Sequence, residues 1–200
     1  MPWTREELRV FLSEDLLKEN LDSVVQEIQE MQAGRGMVAA NHEEPLLQGD
    51  VFENVPCVSR ASGVAAISPR RAIVVSNSCD VSTDNPRNLP VHISVAPVLR
   101  LARYEQMLLD HAVVPQRVAG IVASIRRQEK SDVLFLPAGA GLTEDMVALL
   151  DQVQSMPFSQ FAAAPAGPRA GVLTQRGFWV LLVKLSMHFL RPHEGVERAA

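Results

Sequence analysis

The chain has 200 residues, of which 47% are hydrophobic and 21% are charged, and this balance is typical of one globular domain with at most a modest appendage. The net charge of −4 argues against a surface that binds nucleic acid through charge alone. The longest apolar run, 178–190, contains a lysine and a histidine and is shorter than the roughly 20 residues of a membrane span. No membrane association is therefore predicted.

The cysteine usage points to a reducing compartment. Cys57 and Cys79 do not have a metal-ligand spacing, and both are predicted to be buried thiols. The opening residues are polar and acidic rather than basic and then apolar. No phosphate-binding loop, zinc spacing or dinucleotide fingerprint is present in the sequence. These observations predict a cytoplasmic protein with no metal and no cofactor.

Residues 1–40 are predicted to form a helical hairpin. Thr4 and Glu7 have the spacing of a capping box, in which each side chain satisfies a free backbone donor of the first turn. Apolar residues then recur at helical spacing in two groups, the first Leu8, Phe11, Leu12 and Leu16 and the second Leu21, Val24, Val25, Ile28 and Met31. A polar, flexible connector is predicted between Gly34 and Pro45.

The remaining chain, 46–200, is predicted to form the main domain. β-branched runs and alternating patterns predict strands at 49–55, 71–77, 91–95, 132–136 and 146–153. Helical patterns predict helices at 98–111, 115–128 and 174–190, and an Ala/Pro/Gly-rich stretch predicts a mobile loop at 161–171. We expect one highly curved antiparallel sheet that pairs 132–136 with the strands of 48–96, with a helical insertion over 98–130. The C-terminal helix is expected to be part of the core.

Three short motifs occur in the order found in a known family. They are Gly49-Asp50-Val51-Phe52, the valine-rich strand from Arg71 to Asn77, and the late strand that contains Asp151-Gln152. In this order they resemble the MazF/PemK family of toxins, over roughly residues 48–160. The resemblance implies an α+β fold built on an SH3-like small β-barrel, here with a helical insertion and with helices at both ends.

The resemblance also implies a function and partners. Many members of that family are metal-independent endoribonucleases that form homodimers and act on single-stranded RNA. An antitoxin segment opposes them by lying in the RNA groove. In this chain the amphipathic N-terminal helices are a further candidate for covering that groove.

The family motifs point to particular residues. The catalytic arginine of the family corresponds to Arg71, since a guanidinium can hold a phosphate with paired donors and stabilise its developing charge. Ser94 is the candidate for the family hydroxyl, although the expected position is occupied by Ala96 or Pro97. Another departure is an alanine, at 72, in place of the proline that follows the arginine. The candidate RNA-binding residues are Arg70, Asn77 and Arg87.

Two functions therefore stay open. The first is a toxin that cleaves RNA, and the second is a catalytically inactive barrel that serves as a binding or regulatory module in a defence or mobile-element system. A further arrangement, in which Cys79 is a nucleophile assisted by Asp80 and His92, competes with a simpler interpretation. In that interpretation Asp80 caps a turn, Cys79 is a buried thiol and His92 is structural.

Overall fold

The computed structural model describes residues 36–39, 45–59, 64–82, 84–85, 87–139, 141–163 and 169–190. The predicted N-terminal hairpin lies outside the described residues except for 36–39. The strands are β1 (Val38–Ala39), β2 (Val51–Ser59), β3 (Ala66–Val74), β4 (His92–Arg100), β5 (Val133–Leu136), β6 (Met146–Leu149), β7 (Gln154–Pro157) and β8 (Arg169–Leu173). The helices are α1 (Ser78–Val81), α2 (Leu101–Asp110), α3 (Pro115–Arg126), α4 (Phe158–Ala163) and α5 (Gln175–Leu190), with a 3-10 turn at Leu150–Gln152.

The eight strands of the described residues form one antiparallel sheet, so the predicted α+β class is confirmed. The strand order is β1-β8-β2-β3-β4-β6-β5, and β7 pairs with the first half of β4. The two strands at the ends of this order, β1 and β5, do not pair with each other among the described residues. The sheet is therefore open.

The pairing of the late strands differs from the prediction. The single strand predicted at 146–153 is divided into β6, the 3-10 turn and β7, and these two strands pair with different halves of β4. The expected pairing of 132–136 with the strands of 48–96 is wrong, because β5 pairs only with β6 in the described chain. The turn at Leu150–Gln152 allows one continuous sequence to supply two strands along β4.

The predicted helical insertion is present as α2 and α3. Helix α2 begins at Leu101 and not at the predicted residue 98, because β4 continues through Arg100, where it pairs with β6. Pro115 begins α3, where its missing N–H costs no helical hydrogen bond. Leu101 and Ile125 pack with Val133, Phe135, Val147 and Leu149 in one buried cluster. The insertion therefore covers one face of the β4–β6–β5 part of the sheet.

The Gly-Asp pair before β2 forms a turn that the fold requires. Gly49 has a φ of +94°, which favours glycine, and an added Cβ would lie 2.7 Å from Cδ1 of Leu173. The carboxylate of Asp50 accepts the Leu47 N–H at 2.9 Å and faces Nε of Arg169 at 3.3 Å. The motif therefore joins the start of β2 to β8 through a buried ion pair.

Two segments predicted to be irregular contain strands. Within the predicted connector, Val38–Ala39 form β1, and Met37 is fully buried. Within the predicted loop at 161–171, Phe161 is buried in α4 and the segment from Arg169 is β8. Both strands are fixed by pairing with each other, because β1 pairs with β8.

The outer edge of β5 is occupied by the side chain of Gln128. Its amide accepts from the Phe135 N–H at 3.1 Å and donates to the Phe135 carbonyl at 2.7 Å. The amide nitrogen also lies 3.4 Å from the sulfur of Met37, which precedes β1. Unpaired backbone groups at a sheet edge attract other strands, and this side chain satisfies two of them. One glutamine therefore reaches from the last strand of the sheet to the residue before the first.

The predicted C-terminal helix is present and belongs to the core. Helix α5 contacts β5, β8 and the 3-10 turn, and Val180 and Leu181 share a buried cluster with Met37. The amine of Lys184, 1% exposed, donates to the Lys130 carbonyl and to the Val133 carbonyl, the latter at 3.0 Å. None of the described helices has the length and apolar character needed to cross a lipid bilayer.

Replacing Gln128 with leucine is expected to lower the free energy of unfolding by about 2 to 4 kcal/mol. Leucine has a similar size but leaves the N–H and carbonyl of Phe135 without the amide, and each buried unsatisfied group costs about 1–3 kcal/mol. Urea unfolding measures the loss. The matched control is Gln116→Leu on the exposed surface of α3, which should change stability little. Equal midpoints for the two variants would contradict this role of Gln128.

Candidate functional site

Arg71, the predicted catalytic arginine, is held by Glu53. Nε of Arg71 donates to Oε1 of Glu53 at 2.7 Å, and Nη2 donates to the same oxygen. Nη1 lies 3.3 Å from the sulfur of Met146, and the side chain of Arg71 is 23% exposed. The guanidinium is therefore neutralised by a carboxylate and packed against a thioether.

A β-bulge explains why Glu53 meets Arg71. Phe52 is opposite Ala72, and Val55 is opposite Arg70, so Glu53 and Asn54 together stand opposite the single residue Arg71. Asn54 has a φ of +58°, a conformation that asparagine adopts more readily than most residues. Such bulges bend a strand and redirect its side chains, and they are frequent next to active sites.

Ser94 does not share a site with Arg71. The register of β3 and β4 pairs Ala72 with Pro97 and Val74 with Val95. Continued by one residue at each end, it places Arg71 and Ser94 four residues apart along the strand pair, which corresponds to about 13 Å. The backbone N–H of Ser94 donates to Oγ of Ser76 at 2.7 Å. The two predicted catalytic residues are therefore not brought together.

Arg70 lies on the face of β3 opposite to Arg71, because side chains alternate along a strand. Its Nε donates to Oγ of Ser68 at 3.3 Å. Burial raises the pKa of the Cys57 thiol to about 11, and the positive charge of Arg70 opposes part of this rise. Cys57 is thus the buried thiol that the sequence predicts. For Cys79 that prediction is wrong, because this thiol is exposed on the short helix α1.

A polar depression lies between α1 and the beginning of β4. It has a volume of about 540 Å³ and is lined by Ser76, Asp80, Arg87, Asn88, Leu89, Pro90, Val91 and His92. We call it the Arg87 depression. Nη2 of Arg87 lies 2.7 Å from Oδ1 of Asp80, and the two side chains are 37% and 65% exposed. Arg87 is therefore paired with a carboxylate, as Arg71 is, but its side chain is more exposed to solvent.

The loop that forms the depression is ordered by side-chain hydrogen bonds to the backbone. The side-chain oxygen of Asn77 accepts from the Cys79 N–H at 2.9 Å, and the amide of Asn85 donates to the Cys79 carbonyl at 3.1 Å. Oγ of Ser78 accepts from the Gln48 N–H at 2.8 Å, which joins α1 to the turn before β2. Asn77 therefore lies beside the depression, but its side-chain oxygen caps α1.

The arrangement of Cys79, Asp80 and His92 does not form a nucleophile and base. Asp80 faces Arg87, and Nδ1 of His92 lies 3.3 Å from the Pro90 carbonyl. Asp80 and His92 both line the Arg87 depression, whereas Cys79 is not among its lining residues. Within the described ranges, no three His, Cys, Asp or Glu side chains gather as a metal ion would require.

The residue that the sequence analysis missed is Glu53. A glutamate in a strand that lies next to a strand with an arginine is the signal that could have found it, since opposite charges pair across strands. Comparison with protein-family models finds no match for the chain, and comparison with curated proteins finds none either. The resemblance to the MazF/PemK family stays a hypothesis that rests on the three motifs.

Proposed function

We propose that this protein is a non-catalytic binding module with a MazF/PemK-like, barrel-shaped sheet, and that it binds single-stranded RNA at the Arg87 depression. The observation that carries the proposal is the contrast between the two arginines. Each faces a carboxylate, but Arg71 gives two donors to Glu53, is 23% exposed and lies about 13 Å from Ser94. Arg87 gives one donor to Asp80, is 37% exposed and lines the Arg87 depression. The reach of Gln128 from Phe135 to Met37 supports the barrel shape.

The contents of the Arg87 depression suit one nucleotide. Arg87 can hold a phosphate by charge-assisted hydrogen bonds, and the planes of its guanidinium and of His92 can stack on a base. Asp80 can accept hydrogen bonds from base N–H groups. Leu89, which is 79% exposed, and Pro90 supply an apolar rim. The volume of about 540 Å³ falls within the range of small-ligand sites, roughly 300–1,000 Å³.

A second candidate is the ribonuclease toxin itself, and the Glu53–Arg71 pair is the observation that favours it. When RNA enters, its phosphate would replace Glu53 on the guanidinium, and the released carboxylate would accept a proton from the 2′-hydroxyl. The 2′-oxygen would then form a bond to phosphorus while the bond to the 5′-oxygen breaks, and the leaving 5′-oxygen would take a proton from water. Glu53 would be the general base in place of the distant Ser94.

A binding and cleavage assay on the purified protein separates the two candidates. With a fluorescently labelled single-stranded RNA, we expect binding without cleavage, and we expect Arg87→Ala to weaken binding about tenfold, as the loss of one charge-assisted contact predicts. Arg71→Ala should leave the affinity unchanged. The matched control is Arg103→Ala, because Arg103 is also exposed and also faces a single aspartate, Asp110.

The possible outcomes of this assay distinguish the two candidate functions and test the site. RNA cleavage that is lost in both Arg71→Ala and Glu53→Gln, with the fold retained by circular dichroism, would establish the ribonuclease. Equal affinity of the wild type and Arg87→Ala would remove the depression as the RNA site. Equal losses in Arg87→Ala and Arg103→Ala would mean that binding follows overall charge. No RNA binding by the wild type would overturn the choice of ligand.

A further inference from the structure

Asp80 and Arg87 form a hydrogen-bonded pair in the wall of the Arg87 depression. Nη2 of Arg87 donates to Oδ1 of Asp80 at 2.7 Å, and both residues line the depression. This bond uses one of the two oxygens of the carboxylate and one of the five N–H groups of the guanidinium. Within the described part of the chain, neither side chain makes a second hydrogen bond. An acceptor and a donor are therefore held side by side, and both remain available to a ligand.

The order of these two groups selects one arrangement of ligand atoms. An ionised carboxylate only accepts hydrogen bonds and a guanidinium only donates them, so a planar ligand needs N–H groups opposite Asp80 and an acceptor opposite Arg87. Hydrogen bonds to such charged groups are roughly twice as strong as neutral ones. Because other oxygens and N–H groups of the pair are used, the bond between Asp80 and Arg87 can stay in place when the ligand binds.

Guanine is the RNA base whose edge matches this order best. Its Watson–Crick edge carries N2–H, N1–H and O6, which are two donors followed by an acceptor. The two N–H groups can donate to the two oxygens of Asp80, and O6 can accept from Arg87. Adenine and cytosine each offer one donor beside one acceptor on that edge, and uracil offers one donor between two acceptors. Each of these bases therefore makes one charge-assisted hydrogen bond fewer than guanine does.

We propose that the Arg87 depression selects a guanine of the single-stranded RNA, with N1–H and N2–H on Asp80 and O6 on Arg87. This inference rests on the proposed RNA-binding function and adds the base that the site prefers. Contacts to phosphate carry no sequence information. Asp80 is therefore the group that supplies the selectivity, and the faces of the base stay free for stacking.

Oligonucleotides that differ in one base test the hydrogen-bond pattern. The probe is a fluorescently labelled oligouridine RNA with a single central guanine, compared with the same RNA that carries adenine, cytosine or uracil at this place. We expect the guanine probe to bind about tenfold more tightly to the full-length protein, as one additional charge-assisted hydrogen bond predicts. Hypoxanthine, which lacks only the N2 amino group, should lose this advantage. 7-Deazaguanine, which keeps the whole Watson–Crick edge, should retain it.

Asp80→Asn tests whether Asp80 is the selecting group. Asparagine keeps the size of the side chain but replaces one of the two acceptor oxygens with a donor NH₂ group. This variant is expected to bind the guanine and hypoxanthine probes equally, and its affinity for the uracil probe should not fall. The matched control is Asp84→Asn, which removes the same charge from an exposed position of the same loop and should keep the preference for guanine.

The outcomes separate this inference from the RNA-binding proposal. Equal binding of all probes by the wild type, or a guanine preference that persists in Asp80→Asn, would overturn the guanine site and leave RNA binding in place. Loss of the preference in Asp84→Asn as well would assign the effect to charge and overturn the role of Asp80. No binding of any probe would overturn both proposals. Guanosine monophosphate that binds as tightly as the guanine probe would retain the guanine site but overturn RNA as its source.

Discussion

Replacing Asp50 with asparagine is expected to lower the free energy of unfolding by about 3 to 5 kcal/mol, the loss typical of a buried ion pair that is broken on one side. The carboxylate of Asp50 is in a residue that is 1% exposed, and the side chain of Arg169 is 12% exposed. Asparagine keeps the shape and can still accept the Leu47 N–H, but it carries no charge. The guanidinium of Arg169, which is largely enclosed, would then lose this counter-charge.

Urea unfolding with an unchanged m-value measures this loss. The matched control is Asp84→Asn, because Asp84 is exposed in the loop after α1 and its substitution should change stability by less than about 0.5 kcal/mol. Adding Arg169→Met to Asp50→Asn should recover part of the stability, since the guanidinium that faced Asp50 is then also removed. A stability of Asp50→Asn equal to that of the control would contradict the ion-pair argument.

The role of Asp50 also limits what the family motifs say about function. Gly49 and Asp50 are explained by the turn and by the contact of β2 with β8. Asp151 and Gln152 form the 3-10 turn between β6 and β7. Two of the three motifs behind the resemblance therefore have folding roles that suffice to explain them. Their presence is therefore neutral about RNA cleavage.

Local patterns predicted the elements whose burial follows from their own sequence. The β-branched run of β3 and the apolar run of α5 are each long enough to predict a buried strand or helix from one segment alone. Strands β1 and β8 were missed because their sequences are short or rich in small residues. Each is ordered by pairing with the other and, for β8, with β2, and no local pattern contains that information.

The candidate site was predictable only in part for the same reason. The sequence indicated Arg71 and Arg87, and both lie at polar positions of the fold. The strand register determines which other side chains lie near Arg71. It places Glu53 and Asn54 opposite Arg71 and Ser94 far from it. A bulge changes which residue stands opposite which, and its position depends on both strands.

Raising the pH from 7 to 9 is expected to stabilise the wild-type protein relative to a Lys184→Met variant by about 1.4 kcal/mol per pH unit. Burial lowers the pKa of Lys184 from 10.5 to about 7, against the opposing negative charges of Asp132 and Glu129. Between these two pKa values the unfolded chain binds a proton at Lys184 that the folded chain does not. The free energy of unfolding therefore rises with pH in this window. Below it, Lys184 is protonated in both states and no longer makes the free energy depend on pH.

The difference in unfolding free energy between the wild type and Lys184→Met isolates the contribution of Lys184. Burial raises the pKa of Cys57, but this thiol is present in both proteins. Unfolding in urea at pH 6, 7, 8 and 9 gives the two profiles. Lys130→Met is the matched control, since its side chain is exposed while its carbonyl still accepts from Lys184. The control should follow the wild type at every pH. If the Lys184→Met profile also ran parallel to the wild type above pH 7, the amine would be charged in the folded protein, and the two backbone carbonyls would be holding an ammonium group.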